Sequence, residues 1–140
     1  MTDRDELVRT VPRRAVVLVD VQNEYARPPL RIRYPRLRDC LGQIERVLDA
    51  AANVGLPVVC VQHAGRPGGA IFDPEGKGFA LCPSIERRRT PQWKLVVKRR
   101  GAIYAGTDLA AWVHERGVDT VTLVGFMANN CILASAAQGE

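Results

Sequence analysis

Three short apolar runs in this chain each end beside a side chain that can do chemistry, and that arrangement restricts the fold more than any other feature. Asp20 lies near the end of AVVLVDV (residues 15–21), Lys98 directly follows LVV (95–97), and Cys131 stands just past the run within 118–126. Runs this short and this rich in β-branched residues read as strands buried on both faces of a parallel sheet. The C-terminal ends of such strands share one edge, where open α/β folds place their sites. A carboxylate, an ammonium and a thiol are therefore expected together, as a nucleophile with its activators.

The intervening segments fit an alternation of strand and helix. After a polar, proline-bearing loop, Pro35 opens a helix in which Leu37, Leu41, Ile44, Leu48 and Ala51 recur at helical spacing, and Gly55 with Pro57 stops it. A second strand is expected over 58–61. The Gly/Pro-rich stretch 64–92 shows little periodicity and is expected to form the rim of a pocket. Thr107-Asp108 resembles an N-cap with an acidic first turn, starting a helix through Leu109, Trp112 and Val113 that Gly117 ends. Asn129 or Asn130 is expected to cap a further helix beginning near Cys131. The fold class expected is α/β, a single domain with three α/β/α layers around a parallel, Rossmann-like sheet, its fourth strand beside the first.

Composition excludes several roles. The chain has 140 residues, 46% of them hydrophobic, enough for one globular core. No apolar stretch is long enough to span a bilayer, and the first residues lack the apolar region of a signal peptide, so the expected location is the cytoplasm with no membrane partner. A net charge of +5 raises nucleic acid as a partner, but only 6% of residues are aromatic, which leaves few stacking platforms. Attraction of an anionic small molecule is the reading kept for that charge. Cys40, Cys60, Cys82 and Cys131 are scattered without a CxxC pair, which argues against a zinc knuckle or a disulfide scaffold. Trp93 and Trp112 read as packing residues.

The segments VVLVDVQNEY, VVKRRGAIYAGTDL and VTLVGFMANNCILASA resemble the three signature blocks of the isochorismatase-like cysteine hydrolase superfamily. The resemblance lies in Asp20, Gln22 and Tyr25 of the first block, in Lys98 with Gly106 to Leu109 in the second, and in Gly125 six residues before Cys131 in the third. It implies a triad of Asp20, Lys98 and Cys131, with Asp20 taking the thiol proton and returning it to the leaving amine. It also implies a cis peptide between Phe126 and Met127, which would turn the backbone N–H groups of Met127 and Cys131 into an oxyanion hole. Gln22, Tyr25, His63 and Tyr104 are the substrate-binding candidates.

The chain departs from the family pattern in three places. Ala102-Ile103-Tyr104 follows the lysine where the family often has Ser-Ala-Phe. The Asp/His metal cluster of nicotinamidases has only His63 and His114 as counterparts, so no metal and no organic cofactor are expected. The family sheet normally continues beyond the cysteine helix, so the chain is expected to lack strand and helix units at the C-terminal edge. The function expected is hydrolysis of a carbon–nitrogen bond in a small amide, carbamoyl or ureido substrate, by a homo-oligomer. Vinyl ether hydrolysis of the isochorismate type, or a non-catalytic binding or assembly role, is the alternative.

Overall fold

The computed structural model describes residues 13–126. Met127, Cys131, the Phe126–Met127 peptide, the Asn129/Asn130 cap and the helix expected at Cys131 lie outside the described residues. Within them the chain runs β1 (Arg14–Val19), α1 (Leu37–Val54), β2 (Val58–His63), a short α2 (Pro83–Glu86), β3 (Lys94–Lys98), α3 (Leu109–Glu115) and β4 (Thr120–Gly125). The four strands pair in parallel in the order β3-β2-β1-β4, so β4 lies beside β1.

The alternation of side chains along the strands sorts the core into two layers. Val16 and Leu18 of β1 and Val58 and Cys60 of β2 face one way and pack with Ile44, Leu48 and Ala51, the buried stripe of α1. Val17, Val19, Val59, Val61 and Val96 face the other way, against Ile103 and Leu109. Each fully buried valine contributes about 1.5–3 kcal/mol. Trp93 packs against the first layer and Trp112 against the second. Gly55 closes α1 in the left-handed conformation, its N–H reaching the carbonyls of Ala51 and Ala52.

The structure modifies three sequence expectations. β2 continues through Gln62 and His63, which carry no apolar signal yet stay in register with Val97 and Lys98 of β3. Inside the stretch 64–92, one helical turn, α2, begins with Pro83, and Ile85 is fully buried. Asp108 occupies the N-cap position of α3 without a side-chain capping bond, because its carboxylate pairs with Lys94. The Thr107 hydroxyl instead accepts the Leu109 N–H at 3.4 Å and donates to the Ile103 carbonyl at 2.6 Å.

At the end of β4 the backbone closes on β1. Gly125 adopts φ 140°, and a Cβ there would strike the carbonyl oxygen of Val19. Only glycine allows that approach. We expect Gly125→Ala to destabilise the protein by at least about 2 kcal/mol in urea unfolding. Gly42→Ala, on an open face of α1 with nothing within 4 Å of the added carbon, is expected to be neutral or stabilising. Equal stability of Gly125→Ala and the parent would show that β4 has room to shift.

Candidate functional site

The site begins with register. Lys98 is paired with His63 on the neighbouring strand, and Val61 of β2 is paired with Val19, one residue before Asp20. Lys98, His63 and Asp20 therefore stand in order across three strand ends. Lys98 must reach past β2 to the end of β1, two strand spacings of about 4.8 Å each, which demands a long side chain. Its Nζ lies 3.2 Å from Asp20 Oδ2, 3.1 Å from His63 Nδ1 and 3.0 Å from the Arg100 carbonyl oxygen. Asp20 and Lys98 are each 1% exposed.

Asp20 has φ 57°, a left-handed conformation that aspartate tolerates better than most residues. Its N–H still donates to Val61 O, while its carbonyl accepts the Gln22 N–H, so the chain turns sharply on leaving the strand. The structure thus brings Asp20 and Lys98 into direct contact, with His63 as the third member. Burial and the facing Lys98 ammonium hold the His63 imidazole below its ordinary pKa of 6.5, partly offset by Asp20. Nδ1 accepts from the ammonium in the neutral tautomer that carries its proton on Nε2.

Gln22 is completely buried, and its amide bonds backbone. Nε2 donates to the carbonyls of His63 (3.1 Å) and Phe79 (2.9 Å), and Oε1 accepts the His63 N–H at 2.9 Å. It ties the end of β2 to the following stretch, which pairs with the β1 exit through Asn23 N–H to Ala80 O and Cys82 N–H to Val21 O. Tyr25 is buried edge-on between Phe72 and Phe126 at centroid distances of 5.5 and 5.3 Å, and Phe72 also meets the His63 ring edge-on at 5.1 Å. Tyr104 packs against the second core layer, where burial raises its hydroxyl pKa.

Sequence reasoning missed Glu24. It is 5% exposed, and its Oε2 accepts the Phe72 N–H at 2.9 Å, which holds Phe72 against His63. Its carboxylate rests on Gly78, where a Cβ would collide with it. A glutamate beside a tyrosine in the single 3-10 turn Asn23–Ala26 gave no signal, because its partners lie 48 and 54 residues further along the chain.

Cys40, Cys60 and Cys82 are free. Burial pushes the Cys60 thiol up to about 12 and the Cys82 thiol up to about 11, so neither is poised as a nucleophile. Among the described residues no group of three or more His, Cys, Asp or Glu side chains is placed to hold a metal ion. No helix among them is long and apolar enough to cross a membrane.

The chain resembles known proteins in sequence and in fold. A secreted isochorismatase effector of Verticillium dahliae is 27% identical over 125 residues, covering 89% of this chain; the chain spans 63% of that relative's length. The crystal structure of a candidate isochorismatase from Burkholderia xenovorans LB400 superposes with a TM-score of 0.86 at 38% identity, over 92% of this chain and 61% of the other. The N-carbamoylsarcosine amidase of Thermoplasma acidophilum gives 0.80 at 26% identity, over 91% of this chain and 75% of the amidase. Residues 14–139 match the isochorismatase domain, and the chain belongs to the isochorismatase-like superfamily of cysteine hydrolases.

Proposed function

We propose that the protein hydrolyses a carbon–nitrogen bond in a small amide, carbamoyl or ureido compound, with Cys131 as nucleophile, Asp20 as proton acceptor and donor, and Lys98 as electrostatic partner of both. The observation that supports this most is the buried Asp20–Lys98 pair at the C-terminal edge of the sheet. Burying two charges is costly, and a pair this dry is a weak device for stability alone. Its place beside the exit of β4, six residues before Cys131, suits a site where a thiol must be ionised.

The chemistry follows from those groups. A free thiol has a pKa near 8.5, so Cys131 needs a base and a nearby cation. Asp20 takes the thiol proton as sulfur attacks the carbonyl carbon, and the carbonyl oxygen becomes an oxyanion facing the N–H groups of Met127 and Cys131. Collapse breaks the carbon–nitrogen bond, and the leaving amine takes the proton from Asp20. Water, losing a proton to Asp20, then cleaves the thioester or thiocarbamate and releases the thiol. No metal or organic cofactor enters the scheme. Tyr25 and Tyr104 are proposed to border the substrate, and Gln22 acts through the backbone of His63.

The remaining partners follow the same reading. The free cysteines suit a reducing cytoplasm. Leu95 and Val97, 45% and 51% exposed on the outer strand β3, suit a homo-oligomer better than a nucleic-acid or membrane surface. The Verticillium relative's name favours a second reading, vinyl ether hydrolysis of the isochorismate type, in which the cysteine is dispensable.

Cys131→Ala separates the two readings. We expect it to abolish turnover of small amides while leaving the far-ultraviolet spectrum unchanged, whereas retained hydrolysis would favour the vinyl ether reaction. Asp20→Asn keeps the shape but removes the proton acceptor, and we expect kcat on the same amide to fall by about 10²-fold or more. A loss below threefold in kcat would remove Asp20 from the role of base.

A further inference from the structure

We propose that His63 is a positioning residue for the Asp20–Lys98 pair: its neutral imidazole, unprotonated at Nδ1, holds the Lys98 ammonium in place, and protonating that nitrogen releases it. This rests on the site reading above but assigns His63 a task distinct from touching substrate. Among the described residues, the acceptors facing Lys98 Nζ include Asp20 Oδ2, Arg100 O and His63 Nδ1, and of these the imidazole nitrogen is the one that changes from acceptor to donor as pH falls. When it gains a proton, two cations face each other 3.1 Å apart at the sheet edge, and the ammonium loses that contact.

The surroundings hold the ring for this purpose. Gln22 bonds both the N–H and the carbonyl of His63, fixing its backbone from the β1 side. Phe72, itself held by Glu24, packs edge-on against the ring from the long loop. Among the described residues, the charged groups facing the imidazole are Lys98 from β3 and Asp20 from the end of β1; Phe72 and the Arg100 carbonyl are uncharged. Burial first, and then the Lys98 ammonium, favour neutral imidazole and outweigh the opposing effects of Asp20 and the Arg100 carbonyl, so the proton is taken up below 6.5. The sign is fixed: the pair is intact above that midpoint and loosens as pH falls through it.

Two measurements test this. The chain has two histidines, so ring ¹⁵N spectra of the full protein with His114→Gln report His63 alone. We expect an unprotonated Nδ1, a protonated Nε2 and a midpoint below 6.5 that rises in Lys98→Met. A ring protonated at Nδ1, or a midpoint that ignores Lys98, overturns the proposal. The second measurement is the pH–rate profile on a small amide. His63→Gln, which keeps an acceptor that does not titrate, should move the acid limb to lower pH and keep at least about threefold more kcat at pH 8 than His63→Leu. His63→Leu, with no acceptor, should lose kcat by about tenfold or more, with KM changing less than twofold. An unmoved acid limb in His63→Gln, or a defect in KM alone, overturns it. If the parent hydrolyses no amide, the functional reading fails while the ring spectra still decide the role of His63.

Discussion

A buried carboxylate and a buried ammonium in contact, Asp20 with Lys98, set the terms for the rest of this structure. Each ion loses several kcal/mol of hydration on burial, and the pair is tolerable only where its geometry is fixed and further polar groups complete it. The parallel sheet supplies that geometry. Three adjacent strands end level with one another, and the register that pairs Lys98 with His63 and Val19 with Val61 leaves the lysine a single span to Asp20. A slip of one residue in β3 would turn Lys98 to the opposite face.

The segments around the pair keep it dry. Gln22 and Gln62 both donate to the Phe79 carbonyl, so the stretch after β2 is tied down where it passes the strand ends. Glu24 reaches the same stretch at Phe72, with Gly78 giving room for its carboxylate. Phe72, Tyr25 and Phe126 then form a run of edge-on rings from His63 to the exit of β4. Aromatic packing of this kind excludes water at little conformational cost, and a water-poor site strengthens the field of one charge on its neighbour.

The apolar runs made the strands legible: β1 and the start of β2 are buried on both faces, whereas β3, read the same way, leaves Leu95 and Val97 exposed and β4 is half-buried, and the helical spacing of Leu41, Ile44, Leu48 and Ala51 marked α1. Asp20 and Lys98 could be matched because each sits at a strand end. The polar tail of β2 was invisible to hydrophobicity, since Gln62 and His63 earn their strand conformation from pairing. The anchoring of 64–92 depends on Gln22 and Glu24, single polar residues with distant backbone partners, a relation that local periodicity does not encode. Asp108 shows the limit from another side: its type suits a cap, but a lysine 14 residues earlier offers a stronger partner.

The central claim is that Asp20, Lys98 and Cys131 act as one unit, and the rate of Cys131 alkylation against pH reads it directly. In a Cys40→Ser background the other thiols are silent, because burial holds Cys60 and Cys82 to about 12 and about 11. Peptide mass spectrometry after timed exposure to iodoacetamide should give a Cys131 midpoint below the ordinary thiol value of about 8.5, moving up by about one pH unit or more in Lys98→Met. Identical profiles in the two proteins would contradict the account.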